Sequence, residues 1–198
     1  MKKSVKPYLV AYNIVAFLFW LVYLACYLNP GFGISNEQQL LLLNIAQGLA
    51  VLEIVHAALK FVNSPVVSTA AQVVSRLIVL VLINLFYKSE LTDGYVYTGI
   101  VVVSFAWSIT EIVRYSFYAL QLLGNVPKFL VWCRYSLFIV LYPIGVIGEW
   151  LIIASPIIKE GIKLDAYNAM CAVLLVSYIY YFPVLYGYMW KQRRKKKI

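Results

Sequence analysis

The stretch LVWCRYSLFIVLYPIGVIGE, residues 130–149, decides the fold. It is long and apolar enough to be a membrane helix, because about 20 such residues cross a hydrocarbon core. Yet it carries Arg134, Tyr142, Pro143 and Glu149. Tyr142 and Glu149 stand seven residues apart. At about 100° per residue both side chains leave the helix on nearly one face, roughly 10 Å apart along the axis. A phenol and a carboxyl converging inside a bilayer are costly to maintain and mark a functional site by default. Pro143 frees backbone and bends the helix between them. Gly145 and Gly148 remove bulk beside them, so that another group can approach closely.

The rest of the chain has the same character. Of its 198 residues 63% are hydrophobic and 13% charged, with a mean hydropathy of +0.82. Soluble domains run at about 45–50% apolar and 25% charged. The class is therefore a polytopic membrane protein with a single membrane domain over 1–198. Turn signals at Asn29-Pro30-Gly31, Asn63-Ser64-Pro65 and Gly124-Asn125-Val126-Pro127 divide the chain. They predict an all-α bundle of six transmembrane helices at 8–28, 40–62, 66–87, 95–123, 129–155 and 167–190, with a basic tail at 191–198. MKKSVKPYLV at the N-terminus is basic and then apolar, but the apolar run is too long for a signal-peptide core and reads as the first span.

The net charge of +9 is uneven, with six of the seventeen basic residues between Lys191 and Lys197. A basic run directly after a hydrophobic segment is a topology signal far more often than a nucleic-acid site. With six spans, Lys2, Lys3, Lys6, Lys60, Lys128 and the tail cluster fall on one side. Lys88, Lys159 and Lys163 fall on the other. The positive-inside rule then puts both termini in the cytosol. The final Lys195-Lys196-Lys197-Ile198 resembles a dilysine retrieval signal and points to the endoplasmic reticulum; the competing reading is that these lysines only fix topology. Cys26, Cys133 and Cys171 lie in apolar segments without metal-ligand spacing, which argues against a disulfide framework and a zinc site.

Seven ionisable residues fall within the spans: Glu53, His56, Arg76, Glu111, Arg114, Arg134 and Glu149. Glu53 and His56 are spaced i, i+3, as are Glu111 and Arg114, so each pair can meet on its helix. Counted at about 1.5 Å per residue from the cytosolic ends, the basic groups line a cytosol-facing vestibule and the Tyr142–Glu149 pair lies beyond it. Each has a structural alternative. Glu111 and Arg114 can simply neutralise one another, Arg134 can snorkel to the interface, and His56 can be a core hydrogen-bonding residue. Glu149 falls near the lumenal boundary, where Trp150 and neighbouring spans would have to seal it from water.

Three segments, LEIVHAALKFVNSPVVSTAAQVVSR (52–76), WSITEIVRYSFY (107–118) and RYSLFIVLYPIGVIGE (134–149), together resemble the very-long-chain 3-hydroxyacyl-CoA dehydratases, also called the protein tyrosine phosphatase-like family. The resemblance runs from Tyr8 to about Trp190. It implies a six-span protein of the endoplasmic reticulum that performs the third step of microsomal fatty-acid elongation, 3-hydroxyacyl-CoA to trans-2-enoyl-CoA. The family's catalytic Tyr and Glu fall on Tyr142 and Glu149. Implied partners are acyl-CoA, membrane lipid and the other elongation enzymes: the condensing enzyme, the ketoacyl-CoA reductase and the enoyl-CoA reductase. Lys60 departs from the pattern, in which glycine is expected. Phosphatase chemistry is not carried over, because it needs a low-pKa thiolate and an arginine in one loop, and no cysteine lies near His56.

Eliminating water from a 3-hydroxyacyl thioester requires removal of a C2 proton and protonation of the departing 3-hydroxyl. Glu149 is read as the base and Tyr142 as the donor, with the reverse assignment equally open. Lys60, Lys128, Arg114 and Arg134, with Glu111 and His56 beside them, are candidate contacts for the nucleotide end of the substrate. No metal or redox cofactor is implied, since elimination of water needs neither. A catalytically inactive scaffold that binds elongation enzymes is the main alternative. A transporter is the other, disfavoured because no internal repeat is evident.

Overall fold

The computed structural model describes residues 5–88, 94–161 and 165–196. Lys2, Lys3, Lys163, Lys197 and Ile198, on which the charge count and the retrieval signal partly rest, lie outside the described residues. Those described form α1 (Lys6–Leu28), α2 (Asn36–Leu49), α3 (Val51–Ala58), α4 (Val66–Lys88), α5 (Gly94–Leu123), α6 (Lys128–Ser136), α7 (Phe138–Glu160) and α8 (Ala166–Lys195). Among the described residues six spans are long and apolar enough to cross a membrane: Lys6–Leu28, Asn36–Ala58, Val66–Leu85, Gly94–Leu123, Phe138–Ile158 and Asn168–Lys195. That is the architecture of an all-helical, multi-pass membrane protein.

Local chemistry sets most of the helix ends. A proline in the first turn opens α1, where its missing N–H costs nothing. Asn29 ends the helix and accepts a hydrogen bond from the Gly31 N–H at 3.0 Å. Ser35 and Gln38 form a reciprocal capping box, so the second span opens at Asn36 rather than at residue 40. It ends earlier too, because Lys60 adopts a left-handed φ of 56°. A β-carbon is disfavoured there, which accounts for the glycine expected at that position. Asp165 caps α8 through the Asn168 N–H at 2.7 Å.

The fifth span also differs from the expectation of one helix over 129–155. Leu137 interrupts it, leaving the short α6 before α7, so Arg134 belongs to α6 and not to the span. The basic residues 191–195 continue α8 as helix. Pro143 and Pro156 lie within α7, and Pro183 within α8.

Packing follows from the apolar stripes. α5 lies against α1 on one side and α7 on the other, α4 contacts α2, α3 and α7, and α8 packs on α7 and α6. The shared core joins Ala16, Trp20 and Tyr23 of α1 to Leu43 and Ala46 of α2, Val79 and Ile83 of α4, Val103 and Trp107 of α5, and Ile152 and Ile153 of α7. The α5–α7 crossing is a close approach. A β-carbon on Gly148 would lie 2.8 Å from Val103 Cγ2 and 3.0 Å from the Gly99 carbonyl oxygen. The body admitted by Gly148 is therefore α5, and Gly145 likewise faces Ala106, whose Cβ would lie at 3.5 Å.

Candidate active site

Positions 107, 111, 114 and 115 recur at helical spacing, so α5 directs Trp107, Glu111, Arg114 and Tyr115 toward one side. There they meet carboxylates and cations from three other helices. Arg114 donates from Nη1 to Glu53 Oε2 and from Nη2 to Glu53 Oε1, each at 2.6 Å. Its Nε donates to Glu111 Oε2 at 2.6 Å. Arg76 of α4 donates to the other Glu111 oxygen. The Tyr115 hydroxyl donates to Glu53 Oε1 at 2.6 Å. Two guanidiniums thus face two carboxylates, and the cluster carries no net formal charge. Glu111, with a side chain only 2% exposed, is at its centre. Ionised groups this deep persist only when paired and hydrogen-bonded, and here every oxygen of both carboxylates accepts at least one donor.

The cluster touches the second site through an aromatic ring. The Arg76 guanidinium lies over Trp107, 4.8 Å from the ring centroid. Trp107 in turn donates its Nε1–H to Glu149 Oε1 at 2.8 Å. The other carboxyl oxygen of Glu149 accepts the Tyr178 hydroxyl of α8 at 2.6 Å. Glu149 is therefore bracketed by donors from α5 and α8, one on each oxygen.

Tyr142, two turns before Glu149 on α7, lies flat against Phe182, with ring centroids 5.2 Å apart and planes within 8°. Tyr186 continues the stack. No protein hydrogen bond engages the Tyr142 hydroxyl or joins it to Glu149 among the described residues, so the phenol is available to a bound molecule. Beside the pair, a groove of about 350 Å³ opens between α7 and α8. Pro143, Val146, Ile147 and Trp150 form one wall, and Tyr178, Ile179, Phe182 and Pro183 the other. The lining is almost wholly apolar. Trp150 is 39% exposed and belongs to this wall; the groups that cover the Glu149 carboxyl are Trp107 and Tyr178.

The other sequence candidates separate into two kinds. Glu111 and Arg114 meet as the spacing predicts, but Arg114 is committed to both carboxylates. Glu53 and His56 turn to different partners. His56 is buried, shares a hydrogen bond of 2.8 Å with the Tyr8 hydroxyl and lies edge-on to the Tyr12 ring. Arg134 is half-buried and donates to the Tyr118 hydroxyl at 3.3 Å. Lys60 and Lys128 are exposed. Trp107, Tyr178 and Phe182 are absent from the sequence-based list. For the two on α8 the signal is the spacing of Tyr178, Phe182 and Tyr186 at i, i+4 and i+8, which aligns three aromatic rings on one helical face.

What this arrangement can do is hold a carboxyl in a fixed orientation and a phenol within reach of an apolar chain, a pairing suited to proton transfer at carbon. Comparison with known proteins bears on which chemistry that is. The family model described as protein tyrosine phosphatase-like protein, PTPLA, matches residues 47–197. The very-long-chain (3R)-3-hydroxyacyl-CoA dehydratase 2 of Mus musculus is 38% identical, over 95% of this chain and 80% of its own. A very-long-chain (3R)-3-hydroxyacyl-CoA dehydratase of Caenorhabditis elegans is 36% identical over 97% of this chain and 95% of its own. A probable one in Schizosaccharomyces pombe is 32% identical over 98% and 95%. No solved structure matches the chain.

Proposed function

The chain belongs to the protein tyrosine phosphatase-like (PTPLA) family, and from that premise we propose that it dehydrates very-long-chain 3-hydroxyacyl-CoA to trans-2-enoyl-CoA with Glu149 and Tyr142 as its acid/base pair. It is an enzyme, a hydro-lyase of the 3-hydroxyacyl-CoA dehydratase kind. The observation that carries the residue assignment is the Glu149 carboxyl, held between Trp107 and Tyr178 at the edge of an apolar groove.

Glu149 removes the C2 proton, breaking C2–H as the C2–C3 double bond forms. The C3–O bond breaks, and Tyr142 gives its proton to the departing hydroxyl, which leaves as water. The proton on Glu149 then returns to the phenolate, restoring both groups. The fixed carboxyl supports Glu149 as base, because an immobilised acceptor holds the reacting atoms in one geometry. The groove between α7 and α8 takes the acyl chain, which prefers an apolar surface. The nucleotide stays at the polar rim, where the exposed Lys60 and Lys128 and the half-buried Arg134 offer positive charge. Arg114, Glu111 and His56, each engaged by other side chains, support the bundle around the site. In the cell this reaction is the third step of microsomal fatty-acid elongation, in the endoplasmic reticulum membrane, beside the condensing enzyme and the two reductases.

The test is direct. Purified protein in detergent or vesicles is given a 3-hydroxyacyl-CoA, and trans-2-enoyl-CoA is followed. Tyr142→Phe and Glu149→Gln should each lower turnover by about 10²–10⁴-fold, the usual contribution of a positioned acid or base, while the proteins elute and unfold as the parent does. Near-parental turnover in the double variant would overturn the assignment. An inert parent protein would favour a non-catalytic scaffold.

A further inference from the structure

Each oxygen of Glu149 has one donor, and the two donors are not equivalent. Trp107 is buried, only 4% exposed, with Arg76 over its ring face. Its N–H is part of the α5 framework. Tyr178 is half-buried and walls the groove with its ring, while its hydroxyl lies 2.6 Å from Oε2. The same side chain therefore touches both the space for a substrate and the group that acts on it. One turn further along α8, Phe182 stacks on Tyr142. An i, i+4 pair on one helix thus contacts both members of the acid/base pair.

A carboxyl on a single helix can rotate about its terminal bond, and that torsion is broad and weakly restrained. A donor on Oε1 alone leaves Oε2 free to swing. A second donor from a different helix removes that freedom and fixes where the remaining lone pairs point. We propose that Tyr178 is a positioning residue of the dehydratase site, whose hydroxyl locks the Glu149 carboxyl in the orientation that takes the C2 proton of a 3-hydroxyacyl thioester lying in the α7–α8 groove. The inference rests on the reading of Glu149 as acid/base group. A role limited to holding α8 against α7 makes a different claim, because adhesion depends on the ring and its burial more than on the hydroxyl.

Three variants separate these roles in the same dehydration assay, with unfolding midpoints measured in parallel. Tyr178→Phe keeps the ring and removes the hydroxyl, and Tyr178→Leu removes both. Positioning requires that Tyr178→Phe lose about 10- to 100-fold in kcat, the order expected for misplacing a reacting group by about 1 Å, with KM unchanged within about twofold and the midpoint retained. Tyr178→Leu should then match it in kcat and fall below it in midpoint. Parental kcat in Tyr178→Phe, or a rise in KM alone, overturns the proposal. Glu149→Gln is the third variant. If it is inactive while Tyr178→Phe is parental, this inference fails and the acid/base reading stands. If Glu149→Gln is itself active, both fall. Should Tyr178→Phe not accumulate as folded protein, 3,5-difluorotyrosine at position 178 keeps the ring and hydroxyl and alters only the donor. A change in kcat at constant KM then supports positioning, and no change overturns it.

Discussion

Glu111 shows what a single buried residue is asked to do. Its carboxylate faces Arg76 on one oxygen and Arg114 on the other, and its side chain is 2% exposed. Glu111→Ala would remove the carboxylate that Arg76 and Arg114 share, leaving Arg114 on Glu53 alone and Arg76 without this partner. Breaking a buried pair from one side costs about 3–5 kcal/mol, so the unfolding midpoint in detergent should fall steeply; a midpoint equal to the parent's would mean the cluster contributes little. The sequence made half of this network legible. An i, i+3 spacing brings Glu111 to Arg114 because a helix fixes that geometry locally. The same rule sent Glu53 toward His56, yet Glu53 turns to Arg114, 61 residues away. A bidentate guanidinium is a stronger partner for a carboxylate than a single imidazole N–H, and tertiary packing decides which is within reach. Tyr178 escaped for the same reason: only folding brings α8 to α7.

At the scale of elements, the α5–α7 crossing positions the chemistry. Gly99 and Gly148 let the two backbones approach, as small residues do between membrane helices, and one residue further on α7 is Glu149, bonded to Trp107 of α5. A methyl at position 148 would meet Val103 Cγ2 at 2.8 Å and Val102 Cγ1 at 2.9 Å. Overpacking of this kind costs about 1–3 kcal/mol, and the helices can relieve it by moving apart, which lengthens the Trp107–Glu149 bond. Gly148→Ala should therefore lower both the unfolding midpoint and turnover. Gly187→Ala, where a β-carbon meets nothing within 4 Å, should lower neither. Loss of stability in Gly148→Ala with turnover intact would separate the crossing from the site. The glycines were legible as missing bulk, but not what fills the space. The breaks at Ala50 and Leu137 were not legible at all. Neither residue is Pro or Gly, and both keep right-handed helical backbone angles, so the chain tightens there without any compositional mark.

For the whole molecule, the six spans were readable because apolar length is a property of composition and survives any detail of packing. Orientation is a separate question, set by charge. An even number of spans would put both ends on one side, and by the positive-inside rule the lysine and arginine distribution predicts that side to be the cytosol. On that prediction the connections alternate: the turn at Phe32 between α1 and α2 would be lumenal, and the turns at Asn125 between α5 and α6 and at Ser64 between α3 and α4 would be cytosolic. All three positions are exposed. Cys26, Cys133 and Cys171 are all buried, so background labelling of the parent by a membrane-impermeant maleimide should be low. In sealed microsomes with the cytosolic face outward, Asn125→Cys and Ser64→Cys should label at once, and Phe32→Cys only after permeabilisation. The reverse pattern would invert the molecule and put Lys60 and Lys128 in the lumen, away from cytosolic acyl-CoA. Labelling of Phe32→Cys and Ser64→Cys from the same side would instead remove the second span. A substrate whose nucleotide stays at a cytosolic rim can bring its C2 and C3 to Tyr142 and Glu149 only if the first pattern holds, so the topology experiment bears on the chemistry as directly as any change within the site.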